Sequence, residues 1–574
     1  MSVRTLIIAA LAAAVAPIAA SAQAVRGGDL PGRERERFFT PPPPQAQPAG
    51  PAIVLPSTAP PSGAERIKVN IRDICIKGAT VYTKEQLAPL YADLIGRDIP
   101  VQALYDLAER ITAKYGDDGY ALSRAIVPPQ SFAPRGAVPC LQIVEGYIDR
   151  VEWPAAVSKY RDFFSDYSAK ITAQRPINVH TIERYLLLAG DLPGLQFKSS
   201  LKPSKTHEGA STLVVEVVEK PIDLYGRLDN RGTPSRGPTE WLTGVNFNNL
   251  LRQHESFSIN WAATGPDPKE LEYFAANYRQ VLTSEGLFAF VNSSYAFGRP
   301  DTLPGFDFRT RSLIVEAGLA DPVIRTREKN LTLSGLIYLS NNLSDFDAFT
   351  PSAFNRDHIR GFRLRADADW ADRLLGINQL NVTYSQGIHG LGSSENNSAV
   401  DIATNTNPNF LSNVAGRVDF EKIEATLSRT QPLVDRFSVF GSLYGQYAFN
   451  PLLVPEQCGY GGRFFGRAYD PSALLGDHCA EAIVEFRYDL PKFAPSVTQT
   501  QLYTFSDYGK LWVLTGGMFD PNTGGTSGNF DAASAGGGVR FAFWDKVSAD
   551  FSVAKAIHGP REDTRFFFIV AAKY

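Results

Sequence analysis

The sequence predicts a mainly β chain: an antiparallel transmembrane β-barrel of about sixteen strands, preceded by two small α+β modules. Three observations carry this expectation. The chain opens on a secretory address, and no later run is long and apolar enough for a spanning helix. Two consecutive segments repeat one order of strands and helices. From Pro221 to Tyr574 helical periodicity gives way to a period of two.

Residues 1–24 read as a signal peptide. Arg4 supplies the positive start, Leu6 to Ala16 the apolar stretch, and Ala22-Gln23-Ala24 the small residues for cleavage after Ala24. The stretch is too short to anchor a helix in a bilayer. An exported chain without a spanning helix is either soluble or a closed barrel. Phe 36 and Tyr 23 against Met 2 favour strands and the aromatic girdles of a membrane barrel. A net charge of -3 lacks the basic excess of nucleic-acid binders.

Residues 25–65 form a leader. Arg33 to Phe39 has the composition of a short charged helix that would plug the barrel or remain a solvated tail. Thr40-Pro41-Pro42-Pro43-Pro44 and the Pro- and Ala-rich stretch after it read as an extended linker.

Residues 66–147 read as a β-α-α-β-β module. Ile67 to Ile76 is expected as one strand. Thr83 and Gln86 make a capping box ahead of Leu87, Leu90, Tyr91 and Leu94. Leu104, Leu107, Ala108 and Ile111 have helical spacing, and Gly116 is the expected stop. Strands are expected near Ala121 to Val127 and Pro139 to Tyr147. Residues 148–220 repeat the plan, with a strand at Ile148 to Trp153, helices over about Val157 to Ala169 and from Val179 to Ala189, and strands at Leu195 to Pro203 and Thr212 to Glu219.

In residues 221–574, Phe257, Ile259 and Trp261 alternate with Ser258 and Asn260. Leu331, Leu333, Ile337 and Leu339 alternate with Thr332, Ser334 and Tyr338, and Phe566, Phe568, Val570, Ala572 and Tyr574 share one face. Apolar-out, polar-in strands suit a membrane barrel better than a soluble sandwich, whose strands are shorter. Closure would pair Ile222 to Asn230 with Arg565 to Tyr574.

The four cysteines allow three connectivities. Cys75 with Cys140 and Cys458 with Cys479 each fall within one module, in a compartment that permits disulfides. No CxxC and no histidine at ligand spacing points to a metal. GxSxG, HExxH and a P-loop lysine are absent, so neither an enzyme site nor a cofactor is expected.

The informative stretch is a long loop near residues 456–478, carrying Gly461-Gly462-Arg463-Phe464-Phe465-Gly466-Arg467-Ala468-Tyr469-Asp470. Phe505-Ser506-Asp507-Tyr508-Gly509 interrupts an apolar strand, and by alternation Asp507 shares a face with Tyr503 and Phe505. An inward carboxylate needs a partner, and arginine's fork is suited to it. Arg467 is the expected partner. The plainer alternative is an exposed loop arginine and a solvated aspartate.

At these residues the chain resembles the two-partner secretion transporters (the TpsB, or hemolysin-activator, group) among the POTRA-bearing barrels. Tyr115 to Gln130 with Glu145-Gly146 resembles the end of the first POTRA module. Glu183-Arg184-Tyr185-Leu186-Leu187-Leu188 with Asp191-Leu192-Pro193-Gly194 resembles the second. Asp229-Asn230-Arg231-Gly232 resembles the start of the first barrel strand, and Phe465 to Asp470 the loop that folds into the lumen. The family usually has glycine where Ala468 stands. The resemblance implies a lumen-loop lock of Arg467, Asp507, Gly466, Tyr469 and Gly509. It also implies a Gram-negative outer-membrane barrel, monomeric in lipid, with periplasmic POTRA modules that recognise a large exported partner protein (TpsA-like). The barrel would export that partner without nucleotide hydrolysis. The alternatives are an outer-membrane assembly factor and a passive porin.

Overall fold

The computed structural model describes residues 29–38, 41–48, 59–133, 136–204, 207, 209–302, 307–347, 353–514, 518–520, 525–560 and 563–574. The signal peptide expected over residues 1–24 lies outside them.

The first module departs from the expected single strand at its start. It has β1 (Lys68–Asn70), β2 (Cys75–Lys77), β3 (Asp98–Pro100), β4 (Arg124–Ile126) and β5 (Cys140–Val144). A bend separates β1 from β2, because Ile71 and Ile74 are both fully buried and a strict period of two would send them to opposite faces. Asp73 holds the bend by accepting the Ile74 N–H at 2.8 Å and the Lys84 ammonium at 2.5 Å. β1 pairs with β3, and β2 runs parallel to the central strand β5. The Thr83–Gln86 capping box forms, but its helix covers only Lys84–Leu87 before a 3-10 turn that contains Pro89. The helix Gln102–Asp117 buries Leu104, Leu107, Ala108 and Ile111 as its spacing requires.

That helix does not stop at Gly116. It runs to Asp117, and the left-handed residue is Gly119, with φ +89°. A side chain there would meet the Asn178 amide within 3 Å. Asn178 caps the helix Val179–Gly190 of the next module and donates to the Asp118 carbonyl at 3.1 Å. Gly119 thus allows the two modules to touch.

The second module contains β6 (Tyr147–Glu152), β7 (Leu195–Pro203) and β8 (Ala210–Glu219), in the order β6-β8-β7. Its first helix is displaced from the expected Val157–Ala169. A 3-10 turn covers Ala155–Lys159, and the helix is Phe164–Ala173. Asp162 resets the start by accepting the N–H groups of Phe164 and Ser165, each at 3.0 Å.

Sixteen further strands close into one antiparallel barrel. Ile222–Asp229 pairs with Thr564–Lys573, with Tyr225 to Asp229 facing Lys573 to Ile569. Tyr574 and Leu224 exchange backbone bonds beyond them, at 2.8 and 3.2 Å. Closure leaves no strand edge to the bilayer. Outward residues such as Ile337, Leu443 and Phe566 are exposed and apolar, whereas Glu316, Asn342 and Asp507 are buried on the inner face. The turns on the module side are short. The long connections, 388–420 and 449–477, lie at the other rim.

Candidate functional site: a loop and an N-terminal segment inside the barrel

The connection 449–477 folds back across the lumen. Its stem is a two-stranded ladder of Cys458–Tyr460 with Leu474–Gly476. The Cys458–Cys479 disulfide ties the stem to the barrel strand His478–Asp489, and Cys75–Cys140 joins β2 to β5 in the first module. One side of the loop meets the wall through Glu456, whose carboxylate accepts from Arg363 at 2.9 Å and Tyr338 at 3.1 Å and forms an ion pair with Lys422 at 3.0 Å. The other side meets it where Arg565 donates to Asp470 at 2.8 Å. These partners come from strands far apart in the barrel, so the loop bridges its interior.

The tip corrects the expected Arg467–Asp507 ion pair. The two residues meet, but through the Arg467 backbone N–H, 3.2 Å from Asp507 Oδ2. The Arg467 guanidinium reaches past to Glu485, at 2.7 Å on the adjacent strand, and lies over the Phe505 ring at 4.6 Å. Glu485 also accepts from Arg487 and Arg540, each at 2.6 Å. Asp507 is satisfied without a cation. It accepts from Tyr460 at 2.6 Å and from Ser534 at 2.8 Å. Three short donors meet its needs, while the longer arginine side chain joins a carboxylate already surrounded by cations.

Gly509 lies against the Tyr460 ring, where an added Cβ would sit 2.2 Å from a ring carbon. Gly466 turns the tip with φ +64°. Tyr469 is buried and donates to the His558 carbonyl. Positive φ in the loop falls at Gly461, Gly462, Gly466 and Ser472 but not at Ala468, so alanine is accommodated where glycine is usual.

Residues 29–38 lie in the same lumen, with a short helix at Glu34–Phe38. Arg33 donates to Ser472 at 3.0 Å and to the Gln457 carbonyl, both on the loop. Arg35 pairs with Glu316 at 2.9 Å and Arg37 with Glu240 at 3.3 Å, both on the wall. Asp29 accepts from Ser235 at 2.6 Å and faces Arg236 at 3.4 Å. Phe38 packs on Tyr273, with ring centroids 5.0 Å apart.

The sequence does not single out the connection 388–420. Its Leu411, Val418 and Phe420 share a buried cluster with Leu452 and Leu453 at the root of the lumen loop. Asn413 donates to the Leu452 carbonyl at 2.8 Å, and Ser412 accepts the Val454 N–H at 3.0 Å. The apolar positions between Leu411 and Phe420 give the only hint, and they lack any regular period.

In the modules, Glu145 joins three segments. It accepts from the Thr80 and Val81 N–H groups at 2.7 and 3.1 Å and from the Tyr115 hydroxyl at 2.8 Å. Burial opposes its charge, but these bonds prevail and hold the carboxyl below the usual range. Burial and the Glu145 carboxylate push the Tyr115 hydroxyl up. The module edges differ. β4 has three residues and runs into Pro128-Pro129, and the Gln130 side chain occupies both the N–H and the carbonyl of Cys140, each at 2.8 Å. β7 is a nine-residue edge, largely exposed, beside a cavity of about 250 Å³ lined by Ala121, Leu122, Ile177, Ile182, Ser200 and Leu201.

Comparison with known proteins agrees with this architecture. A model of the ShlB-type POTRA domain matches residues 69–146, and one of the haemolysin secretion/activation protein ShlB/FhaC/HecB matches residues 355–535. The heme/hemopexin transporter protein HuxB of Haemophilus influenzae strain 86-028NP is 21% identical over 476 residues, spanning 82% of this chain and 80% of its own. The outer membrane transporter CdiB of Escherichia coli is 21% identical over 517 residues, spanning 84% of this chain and 82% of its own. The solved structure of CdiB from Escherichia coli shares the fold at 18% identity, with a TM-score of 0.70 over 94% of this chain and 96% of that one.

Proposed function

We propose that the chain belongs to the ShlB/FhaC/HecB haemolysin secretion/activation family of outer-membrane transporters, and that its own residues admit, gate and export a large partner protein. The observation that carries the reading is the filled lumen. Two tethered pieces of the chain, residues 29–38 and the loop 449–477, occupy it through ion pairs and hydrogen bonds. Water or a polar unfolded chain can replace such contacts one at a time, whereas a close-packed apolar plug would have to leave as a unit. Residues 29–38 act as a removable plug, and residues 41–48 tether it to the first module.

Cargo arrives extended, with unpaired backbone groups, and docks by β-augmentation. The edge that suits this best is β7 rather than an edge of the first module, because β4 is short and proline-ended. The adjoining cavity takes apolar side chains. No nucleotide site is needed. Folding of the cargo outside the cell prevents backsliding and supplies direction.

Planar-bilayer recordings test the gate. Deleting residues 29–38 should raise conductance, and an unchanged conductance would leave that segment with no gating role. Secretion assays test the docking edge. Ser199→Pro removes one edge N–H and should lower export while the barrel still inserts.

A further inference from the structure

We propose that Arg325 is a positioning residue that couples the seat of the second POTRA module on the barrel to capture of the plug's linker, so that lifting the module frees the linker. The consequence for gating rests on the plug reading above. The contacts themselves do not.

Arg325 ends the barrel strand Phe308–Arg325 at the periplasmic rim. The register of that strand slips between Asp321 and Ile324, around Pro322, and the slip sets Arg325 opposite Asn330. The side chain is buried, and all three guanidinium nitrogens are used. Nε and Nη2 grip both oxygens of Asp191 at 2.6 and 2.8 Å, and Nη1 donates to Asn330 Oδ1 at 2.9 Å. Asp191 directly follows the helix Val179–Gly190 of the second module. A two-point grip on a carboxylate fixes orientation as well as position.

The same turn holds the linker. Asn330 donates through Nδ2 to Asp369 Oδ1 at 3.0 Å, and that oxygen also accepts the Ala46 N–H. The next N–H, of Gln47, donates to the Arg327 carbonyl at 2.8 Å. The Arg327 N–H in turn donates to Glu183 of the second module at 3.1 Å. Residues 41–48 include Pro41 to Pro44 and Pro48, so only Gln45, Ala46 and Gln47 carry backbone donors. The captured pair, Ala46 and Gln47, are therefore two of the few handles this linker has.

Both captured donors lead, within a few bonds, to an acidic residue at one helix. Withdrawing that helix removes Asp191 and Glu183 together. Arg325 is then a buried cation without its carboxylate, and the turn must rearrange to hydrate it. The geometry that presents Asn330, Asp369 and the Arg327 carbonyl to the linker goes with it. Coupling of this kind is reciprocal, so a captured linker also favours a seated module.

Trypsin treatment of the full-length protein in proteoliposomes tests this, with cleavage after Arg33, Arg35 and Arg37 read by mass spectrometry. Asp191→Asn weakens the grip from the module side. Asn330→Leu breaks the relay inside the barrel without touching the module. Each should speed cleavage about 5-fold or more, the lower end of coupling between sites. The heat-modifiable barrel band should be unchanged, and the double variant should release little more than either single one. Cleavage at the unaltered rate in both variants, or effects that multiply in the double variant, would overturn the coupling. Conductance of the 29–38 deletion reports separately on the plug, so the two ideas fail independently.

Discussion

The Arg467 guanidinium pairs with Glu485 at 2.7 Å, on the strand next to the one that carries Asp507. From Arg467, Asp507 accepts the backbone N–H and not the guanidinium. Glu485 is fully buried and serves three arginines, so neutralising it strands several cations at once.

Glu485→Ala should therefore impair export at least as strongly as Arg467→Ala, at a cost of about 3–5 kcal/mol where the pair is dry and less where water enters. Asp507→Asn keeps an oxygen for the Arg467 N–H and should be milder. Exchanging the charges of Arg467 and Asp507 should not restore export. Secretion assays on barrels shown to be inserted decide this, and rescue by that exchange would restore the direct pairing.

Gly509→Ala should push Tyr460 off Asp507, since the new carbon would overlap the ring. Overpacking of this kind costs about 1–3 kcal/mol. The midpoint of heat-modifiable unfolding should fall, and Tyr460→Ala in the same chain should recover part of the packing loss. An unshifted midpoint in the single variant would show that the loop tip yields freely.

Deleting Phe566 to Tyr574 should abolish insertion, because the first strand would lose its partner and expose a polar edge to lipid. Normal heat-modifiable migration of the truncated chain would contradict this.

Acid should loosen the first module through Glu145. Its folded-state carboxyl lies below the ordinary value, so the folded module binds that proton less readily than the unfolded chain does. The stabilisation is present above the unfolded value of about 4.3 and is lost as pH falls through the lower folded value. Glu145→Gln should flatten that acid limb. Thermal unfolding of the module within the full chain, measured between about pH 3 and 7, checks the sign. A stability that rises on acidification would reverse it.

The residues differ in how far their roles are readable. Asp507's inward face follows from alternation with Tyr503 and Phe505, and all three are buried. The strands Leu195–Pro203 and Thr564–Lys573 stand close to where patterning puts them. Apolar spacing misplaces the helix Phe164–Ala173 because Asp162, a local cap, outweighs it. Helical spacing favours Gly116 over Gly119 as the stop because only contact with Asn178 in the next module distinguishes the two glycines.

By itself the sequence determined the barrel, its count of strands and its closing pair. Those depend on a period of two and on the bilayer's intolerance of unpaired backbone, which are local or universal constraints. Only the tertiary structure decided that Arg467 meets Glu485, that residues 29–38 share the lumen with the loop, and that Arg325 binds Asp191 while its partner Asn330 binds Asp369. A buried carboxylate accepts whichever donor arrives with the right reach and angle. Which one arrives depends on strand register and on the path of the loops, which a single residue's neighbours in sequence do not encode.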